Sequence, residues 1–307
     1  MRQSEGVSVR TGSDVETVAL IGAGSVGCMV AAHLAMAGCN IVVCGRAPLE
    51  RIVMTIDGEV VEHKVAWAAE PADLPPLRHA VLATKIHHTP DVAHWLEALP
   101  SGGAVLAAQN GVDHRPRIEP MTAAAVVPAL VYPNCQRTGA GEVRVTRTGR
   151  GIVIPDDEPG RAVQALFDGG GVEVEAVGDF PTAAWDKLLT NVMANPLGAL
   201  TGRPLEVLTD PAVAALAMDL ALETVRVAQA EGTALTERHA RDTLDWLVSV
   251  PGHLASSMLQ DRTAGRTMEH RGLLGPVVTL GERHGIPTPL TRAILTLLDA
   301  LPPGGGQ

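Results

Sequence analysis

Short apolar runs alternate with helical patterns along the first part of the chain, beginning at Val18. This alternation is typical of a parallel sheet covered by helices. Five apolar runs are predicted to be the strands of that sheet: residues 18–21, 40–44, 80–83, 104–107 and 125–129. A helix is predicted over 26–37, and another from Thr89-Pro90, with Thr89 as its N-cap and the proline as its first residue.

Smaller β elements are predicted beside this sheet. Residues 52–56 and 59–65 flank Asp57-Gly58, a dipeptide suited to the positive φ values of a tight hairpin turn. Two short strands are also predicted within 142–154, around Thr148-Gly149, and a last one at 172–177. The pattern therefore predicts an α/β domain that ends near residue 180.

Long helical periods replace the strands beyond Phe180. Helices are predicted over residues 182–195, 211–231, 236–249, 270–284 and 290–300. Prolines act as start or breaker signals between them, namely Pro181, Pro211, Pro251 and Pro289. The predicted organisation is a disordered leader at 1–17, an α/β domain over 18–180, an all-helical domain over 181–301 and a flexible tail at 302–307.

Composition and charge narrow the class of protein. The 307 residues are 46% hydrophobic and 19% charged, as in globular proteins, and no stretch approaches the roughly 20 uninterrupted apolar residues of a membrane span. Residues 1–17 lack the apolar segment of a signal peptide, so a cytoplasmic location is expected. A net charge of −10 opposes binding to a nucleic acid backbone. We therefore expect a soluble protein that binds neither membrane nor nucleic acid.

Cysteine and histidine spacing gives no sign of a metal site. The four cysteines, Cys28, Cys39, Cys44 and Cys135, show no CxxC spacing, and three of them lie in apolar runs. The His87-His88 pair has no carboxylate or thiol at metal-ligand spacing. Neither a disulfide nor a metal is predicted.

The sharpest local signal follows the first predicted strand and reads Gly22-Ala23-Gly24-Ser25-Val26-Gly27. The first glycine permits a tight turn, the second lets a pyrophosphate approach the backbone, and the third lets helix and strand pack closely. The phosphates would lie at a helix N-terminus, where free N–H groups favour negative charge. A glycine-rich turn without function is the alternative. Because a strand precedes the motif and a helix follows it, we expect a Rossmann-type domain whose residues 22 and 24–27 bind a dinucleotide.

The end of the second predicted strand discriminates between the two nicotinamide cofactors. An NAD enzyme usually places an Asp or Glu there for the ribose 2′-hydroxyl, whereas this chain has Arg46 and no carboxylate before Glu50. Arg46 offers a permanently charged, planar fork for a 2′-phosphate, and Arg51 could assist it. The alternative is a solvated loop arginine. NADP(H) is therefore the predicted cofactor.

Polar residues follow the next two predicted strands. Lys85 comes directly after residues 80–83, and Gln109-Asn110-Gly111 comes after residues 104–107. Open α/β sheets bind ligands at the carboxyl ends of their strands, so both positions are predicted to lie beside the cofactor. Asn-Gly is also an ordinary turn dipeptide, which leaves a purely structural role open.

Two segments of the helical domain carry further candidate chemistry. Lys187, Asn191 and Asn195 recur at helical spacing, so one helix face carries a cation and two amides. A polar face turned to water is the simpler interpretation of that stripe. Further on, Ser256-Ser257 is followed by Asp261 and then by Glu269, although Ser and Asp there could simply cap a helix.

Taken together, these residues resemble the ketopantoate reductase family over nearly all of residues 18–300. The matching elements are the glycine loop at 22–27, Arg46, Lys85, Gln-Asn-Gly at 109–111, Lys-x₃-Asn-x₃-Asn at 187–195, Ser-Ser-Met-x-Gln-Asp at 256–261 with Glu269 after it, and Gly-Ile-Pro-Thr-Pro at 285–289. The resemblance implies an N-terminal Rossmann-type doubly wound parallel sheet followed by an all-helical domain, as in 6-phosphogluconate-type dehydrogenases. It also implies reduction of a 2-keto acid by NADPH, with the substrate in a cleft between the two domains.

The resemblance also implies roles for individual residues. Lys187 would be the general acid that protonates the carbonyl oxygen, and Glu269 would orient it. A developing alkoxide needs such a donor, and burial would bring the pKa of the lysine toward working pH. The substrate oxygens would be bound by Asn110, Asn191, Asn195 and Ser257, while Lys85 and Asn110 would contact the cofactor. A protein of net charge −10 needs such local cations to bind an acidic substrate.

Some residues depart from the family pattern. Glu269 is followed by His270-Arg271-Gly272, and Met268 stands where a threonine is usual. We expect these changes to lie beside the substrate pocket, which would leave the reaction type intact but make a different 2-keto acid, or an imine, an alternative to ketopantoate. The rival functions are another dehydrogenase or imine reductase of the superfamily and a non-catalytic NADP-binding sensor. The oligomeric state stays open, with a homodimer as one option.

Overall fold

The computed structural model describes residues 15–302 and divides them into two compact units. The first unit runs to Thr84 and also includes His88–Gln109 and His114–Gly178. The second comprises the short segments Lys85–His87 and Asn110–Asp113 together with the described chain from Asp179. Of the predicted leader and tail, residues 1–14 and 303–307 lie outside the described residues.

A six-stranded parallel sheet forms the centre of the first unit. In chain order its strands are β1 (Thr17–Ile21), β2 (Asn40–Cys44), β5 (Ala66–Ala68), β6 (His79–Leu82), β7 (Ala104–Ala107) and β8 (Ala125–Pro128). In space their order is β5-β2-β1-β6-β7-β8, and every pairing is parallel. The sheet therefore grows outward in both directions from the β1–β6 pair, which confirms the predicted doubly wound fold class.

The strands are apolar on both faces because both faces are covered. Val18 and Leu20 of β1 belong to one core, which also contains buried residues of helix α1 (Ser25–Met36). Ala19 and Ile21 belong to a second core on the opposite face. Successive strand residues point to opposite faces, so a strand covered on both sides shows a continuous apolar run rather than alternation.

Two smaller sheets complete the β structure of the first unit. The predicted hairpin is confirmed as β3 (Arg51–Ile56) and β4 (Glu59–Lys64), with φ values of 51° at Asp57 and 85° at Gly58. It joins β10 (Asn134–Gly139) and β11 (Glu142–Thr146) in a sheet of order β10-β11-β3-β4. The other sheet pairs β12 (Ile152–Pro155) with β9 (Leu130–Val131) and β13 (Val174–Val177). The two strands predicted within 142–154 are thus present, but they lie in different sheets.

The helix predicted from Thr89-Pro90 begins later than expected. Pro90–Val92 forms a 3₁₀ turn, and helix α2 covers only Ala93–Glu97. Thr89 does not cap it, because the residue is itself in a helical conformation and makes no capping bond. Its buried hydroxyl instead accepts hydrogen bonds from Gln109 and Arg117. The unit's other helices are α3 (His114–Ile118) and α4 (Glu158–Ala165).

The described part of the second unit is helical, as predicted for the C-terminal domain. Its helices are α5 (Phe180–Thr201), α6 (Pro211–Ala230), α7 (Glu237–Ser249), α8 (Ser257–Thr263), α9 (His270–His284) and α10 (Pro289–Asp299). The short α8 was not among the predicted helices, whereas the other five were. Their buried leucines, valines and alanines form one core. Among the described residues, no helix combines the length and apolar character needed to cross a membrane.

Candidate active site

The glycine loop after β1 has the close contacts that its spacing predicts. Gly22 has a φ of 104°, and a Cβ there would lie 2.6 Å from the backbone nitrogen of Thr84. A Cβ on Gly27 would lie 2.0 Å from the carbonyl oxygen of Gly22. By contrast, no atom of the described chain comes within 4 Å of a Cβ placed on Gly24. Two glycines are therefore required by the protein's own packing, while the middle one faces open space.

Helix α1 begins at this loop. Gly24 is its N-cap, Ser25 and Val26 are its first residues, and no side-chain capping bond is made to this end. The first backbone N–H groups of a helix have no partner within the helix and carry the positive end of its dipole. The loop at 22–27 therefore fits a dinucleotide pyrophosphate, which would approach over Gly24 and bind the N–H groups that follow.

Arg46 follows the last residue of β2 after one intervening glycine and is exposed to solvent. Within residues 15–302, no salt bridge engages its guanidinium. Arg51, which the sequence suggested as an assistant, begins β3 and pairs with Glu62 at 3.4 Å across the hairpin. Of the two arginines, Arg46 is the one whose charge stays available for a ligand.

The second unit brings together several of the predicted site residues. Lys187 on α5 donates a hydrogen bond from Nζ to Oδ1 of Asn110 at 3.2 Å. Glu269, the residue before α9, accepts a hydrogen bond at Oε1 from the backbone N–H of Ile86 at 2.9 Å. Residues far apart in sequence therefore meet in one cluster made of α5, the start of α9 and the segments at 85–87 and 110–113.

The environment of Lys187 changes its acidity. Burial lowers the pKa of the ammonium from 10.5 to about 8, because the charged form loses its hydration, and the negative charge of Glu269 opposes part of that shift. A lysine with a pKa near 8 is still mostly protonated at neutral pH but gives up its proton far more readily than an exposed lysine. Glu269 thus influences the acidity of Lys187, a relationship that sequence spacing could not reveal.

The asparagines of α5 do not form a water-facing stripe. Asn195 is buried, and its Nδ2 donates to Oδ1 of Asn191 at 3.3 Å. Lys187, on the same face, is half-buried. The simpler interpretation of these residues as a solvated helix face is therefore wrong, since a buried polar face on a helix is retained only where it binds something or is internally paired.

The two serines at the start of α8 have different roles. Ser256 is the N-cap, and its hydroxyl accepts from the backbone N–H of Leu259 at 3.3 Å. Ser257 is the first helical residue and is exposed. The capping interpretation therefore holds for Ser256, and it leaves the hydroxyl of Ser257 for another use.

Lys85 is anchored to the protein itself. Its ammonium pairs with the buried carboxylate of Asp261 on α8 and donates to the carbonyl oxygen of Thr267 at 3.2 Å. The other oxygen of Asp261 accepts from Nε of Arg266 at 2.9 Å. Asp261 ends the Ser-Ser-Met-x-Gln-Asp motif, where a capping role was the simpler alternative; here it pairs with a cation that lies 176 positions earlier in the chain.

The residues that depart from the family pattern after Glu269 are held by other parts of the second unit. His270 and Arg271 both bind Oδ1 of Asp299 on α10, at 2.9 and 2.8 Å. Gly272 is required by close packing, since a Cβ there would lie 2.6 Å from Cδ1 of Ile86. The expectation that the side chains of His270 and Arg271 lie beside a substrate is therefore not supported by their contacts, which lead to α10.

Gln109 and Asn110 are neighbours in the Gln-Asn-Gly triplet, but they belong to different units. The buried side chain of Gln109 donates to the carbonyl oxygen of Thr84 at 2.8 Å and accepts from Arg117 at 2.6 Å, so it stabilises the first unit. Asn110 belongs to the second unit and contacts Lys187. Of these adjacent residues, Gln109 therefore packs inside the first unit, whereas Asn110 contacts the candidate catalytic lysine.

A Rossmann-type unit with an open glycine loop, followed by a helical unit that carries a half-buried lysine and a glutamate, is the arrangement of a dinucleotide-dependent oxidoreductase. Two family models match the chain: "Ketopantoate reductase PanE/ApbA" over residues 18–158 and "Ketopantoate reductase PanE/ApbA C terminal" over residues 179–301. The chain belongs to the ketopantoate reductase family, whose members are oxidoreductases that use a nicotinamide cofactor. The resemblance noted from the sequence is confirmed.

Individual relatives agree with this assignment. A 2-dehydropantoate 2-reductase of Mycobacterium tuberculosis is 33% identical, and the match covers 94% of this chain and 99% of that protein. The crystal structure of a PanE/ApbA family ketopantoate reductase from Ralstonia eutropha JMP134 is similar with a TM-score of 0.83 at 29% identity, covering 92% of this chain and 97% of that one.

The same fold also occurs in a protein with another name. A D-mandelate dehydrogenase, solved with NADH and anilino(oxo)acetate, is similar with a TM-score of 0.81 at 19% identity, covering 92% of this chain and 97% of that one. The fold alone therefore decides neither the substrate nor the choice between NADH and NADPH.

Proposed function

We propose that this chain catalyses the NADPH-dependent reduction of a 2-keto acid to a 2-hydroxy acid, with ketopantoate as the first candidate substrate. The observation that carries the proposal is the cluster in which half-buried Lys187 binds Asn110 and is influenced by the charge of Glu269. A non-catalytic sensor would need the glycine loop but would have no use for a lysine whose pKa is lowered to about 8.

The proposed reaction adds a hydride to the carbonyl carbon of the substrate and a proton to the carbonyl oxygen. NADPH, when bound, supplies the hydride to the carbonyl carbon of the substrate. Lys187 donates a proton from Nζ to the carbonyl oxygen, and the negative charge of Glu269 keeps the lysine protonated at neutral pH. Asn110 holds the ammonium in place through its Oδ1. Because Lys187 supplies this proton, no free alkoxide is left on the substrate.

Polar groups of the second unit are proposed to bind the rest of the substrate. Asn191, Asn195 and the exposed hydroxyl of Ser257 offer hydrogen-bond donors for carboxylate and hydroxyl oxygens. Lys85 is proposed to supply positive charge for the cofactor or substrate, although its pairing with Asp261 means that a ligand must share this ammonium with a carboxylate. Such local cations offset the repulsion expected from the protein's net charge of −10.

The proposed choice of NADPH rests on the end of β2. Cys44 ends that strand, so the chain has no carboxylate there for a ribose 2′-hydroxyl, whereas exposed Arg46 lies two positions further on. A guanidinium binds a phosphate with two parallel hydrogen bonds, and this favours a cofactor with a 2′-phosphate. The preference for NADPH stays a prediction, and a homodimer stays one option for the oligomeric state.

One experiment tests the proposal directly. Oxidation of NADPH and of NADH is followed at fixed enzyme concentration against a panel of 2-keto acids that includes ketopantoate, pyruvate, 2-ketoisovalerate and benzoylformate, together with a cyclic imine. Turnover of one or more 2-keto acids with a preference for NADPH is the expected result. Turnover of the imine alone would favour an imine reductase. If the protein binds NADPH but turns over none of these compounds, the sensor function takes precedence.

A further inference from the structure

An exposed tryptophan lies at the edge of the main sheet, next to the loop that carries Arg46. Trp67 is the central residue of β5, the edge strand that pairs in parallel with β2, and 40% of its surface is exposed. Its indole Nε1–H donates a hydrogen bond to the carbonyl oxygen of Gly45 at 2.7 Å. The indole therefore connects the edge strand to the loop that carries Arg46.

Ala68, the next residue of β5, also binds Gly45, through the backbone N–H of that glycine. The backbone N–H of Gly45 donates to the carbonyl oxygen of Ala68 at 3.1 Å. Both the N–H and the C=O of Gly45 are therefore bonded to β5, one to the backbone of residue 68 and the other to the side chain of residue 67. A glycine has the largest backbone freedom of any residue, and these two bonds remove it.

The residue after this doubly bonded glycine is Arg46. Its backbone position is set by Gly45, while its guanidinium is exposed. A flexible side chain gains binding energy when the backbone from which it extends is already fixed, because less conformational entropy is lost on binding. The two bonds of Gly45 thus fix the backbone from which the arginine side chain extends, without occupying any of its hydrogen-bond donors.

We propose that Trp67 is a positioning residue for cofactor selection: through Gly45 it fixes Arg46 so that the guanidinium can read the 2′-phosphate of NADPH. This inference rests on the NADPH preference given under Proposed function. It assigns to β5, which carries no motif, a part in discriminating between two cofactors that differ in one phosphate group.

Trp67→Phe tests the proposal, because it keeps an aromatic side chain in the edge strand and removes the indole donor. Calorimetric titration with NADP⁺ and NAD⁺ gives the two dissociation constants without any turnover. We expect NADP⁺ to bind about threefold to tenfold more weakly, the range for the loss of one hydrogen bond, and NAD⁺ to change by less than about twofold. Trp246→Phe, at an exposed tryptophan of α7, is the matched control and should change neither.

The selectivity ratio separates positioning from a merely structural effect. Equal weakening of NADP⁺ and NAD⁺ by Trp67→Phe, or no change in either, would overturn the proposal. In an Arg46→Ala background, Trp67→Phe should have no further effect on NADP⁺, since the group that it positions is gone; a full additional loss would also overturn it. Trp67→Leu, which likewise lacks a donor, replaces the Phe variant if thermal melting shows that the latter does not fold.

A failure of the proposed NADPH preference itself would be seen in a different measurement, the affinities of the unmodified protein. If the unmodified protein binds NADP⁺ no more tightly than NAD⁺, the NADPH preference itself fails before any variant is measured. If the unmodified protein prefers NADP⁺ and Arg46→Ala abolishes that preference while Trp67→Phe leaves it intact, only the role of Trp67 is overturned.

Discussion

Lys187 donates a hydrogen bond to Oδ1 of Asn110 at 3.2 Å, although 77 positions separate the two residues in the sequence. The bond holds the ammonium in a half-buried position where its pKa is lowered to about 8. An exposed lysine has a pKa well above neutral and is therefore a poor proton donor. The burial of Lys187 lowers its pKa and so favours the proposed proton transfer.

The pH dependence of the reduction should report this group. Only the protonated form of Lys187 can donate, and that form is present below its pKa and lost above it. We therefore expect kcat/KM for the 2-keto acid to be constant at lower pH and to fall about tenfold per pH unit above a pH of about 8. The measurement is a pH–rate profile with subsaturating substrate. A profile that stays level to pH 10 would contradict the role of Lys187, and the residual activity of Lys187→Ala should lack the fall.

Substitution of the glycines should separate cofactor binding from folding. Gly24→Val places a side chain in space that no described atom occupies, so the protein should fold while its affinity for NADPH drops at least about a hundredfold. Gly27→Val is the contrasting variant, because its Cβ would meet the carbonyl oxygen of Gly22 at 2.0 Å and should lower the melting temperature. Thermal melting and NADPH titration of both variants give the comparison. Unchanged affinity in a folded Gly24→Val protein would remove the dinucleotide assignment.

The contribution of Arg46 should be specific to one cofactor. A hydrogen bond to a charged group contributes about 1.5–3 kcal/mol, so Arg46→Ala should weaken NADPH binding roughly tenfold to a hundredfold and leave NADH unaffected. Arg51→Ala is the control, since that arginine pairs with Glu62 and should contribute little to either cofactor. Dissociation constants for both cofactors decide the matter. A similar loss for NADH would show that Arg46 does not bind the phosphate.

Most strands and helices of this fold could be predicted from the sequence, because apolar runs, helical periodicity and turn residues act over a few neighbouring positions. The hairpin at Asp57-Gly58 formed as expected, since those two residues accept positive φ values at little cost. The prediction that a helix starts at Thr89 was wrong because of long-range contacts. The buried hydroxyl of Thr89 binds Gln109 and Arg117, which lie far from it in the sequence. Helix α8 is only seven residues long, too short for a periodic pattern to indicate it.

The candidate site residues could be proposed from the sequence, but their partners in the folded chain could not. Lys187, Asn191 and Asn195 share a helix face, which follows from spacing alone. The pairing of Lys85 with Asp261 and the binding of His270 and Arg271 to Asp299 join segments that are adjacent only in the folded chain. These long-range pairs add what the sequence could not show: the ammonium of Lys85 already has a carboxylate partner, and the side chains of His270 and Arg271 bind α10.

The joint action of Lys187 and Glu269 is best measured with a double-variant cycle. Lys187→Ala should reduce the chemical step about 10²–10⁴-fold while NADPH still binds, because the glycine loop belongs to the other unit. For the second position Glu269→Gln is the suitable change. It keeps an oxygen that can accept from the backbone N–H of Ile86 at 2.9 Å and removes only the charge that raises the pKa of Lys187.

The cycle gives two independent readouts of coupling. In Glu269→Gln the fall in kcat/KM should move to lower pH, since the lysine has lost the carboxylate that favours its charged form. The double variant should lose much less than the product of the two single losses, because groups that act as one unit are not additive. Single-turnover NADPH oxidation with saturating 2-keto acid measures the losses, a pH–rate profile with subsaturating substrate measures the shift, and NADPH affinity in each variant is the control. Independent, multiplicative losses together with an unshifted pH profile would mean that Glu269 does not act through Lys187, and near-normal rates in Lys187→Ala would mean that Lys187 is not the proton donor.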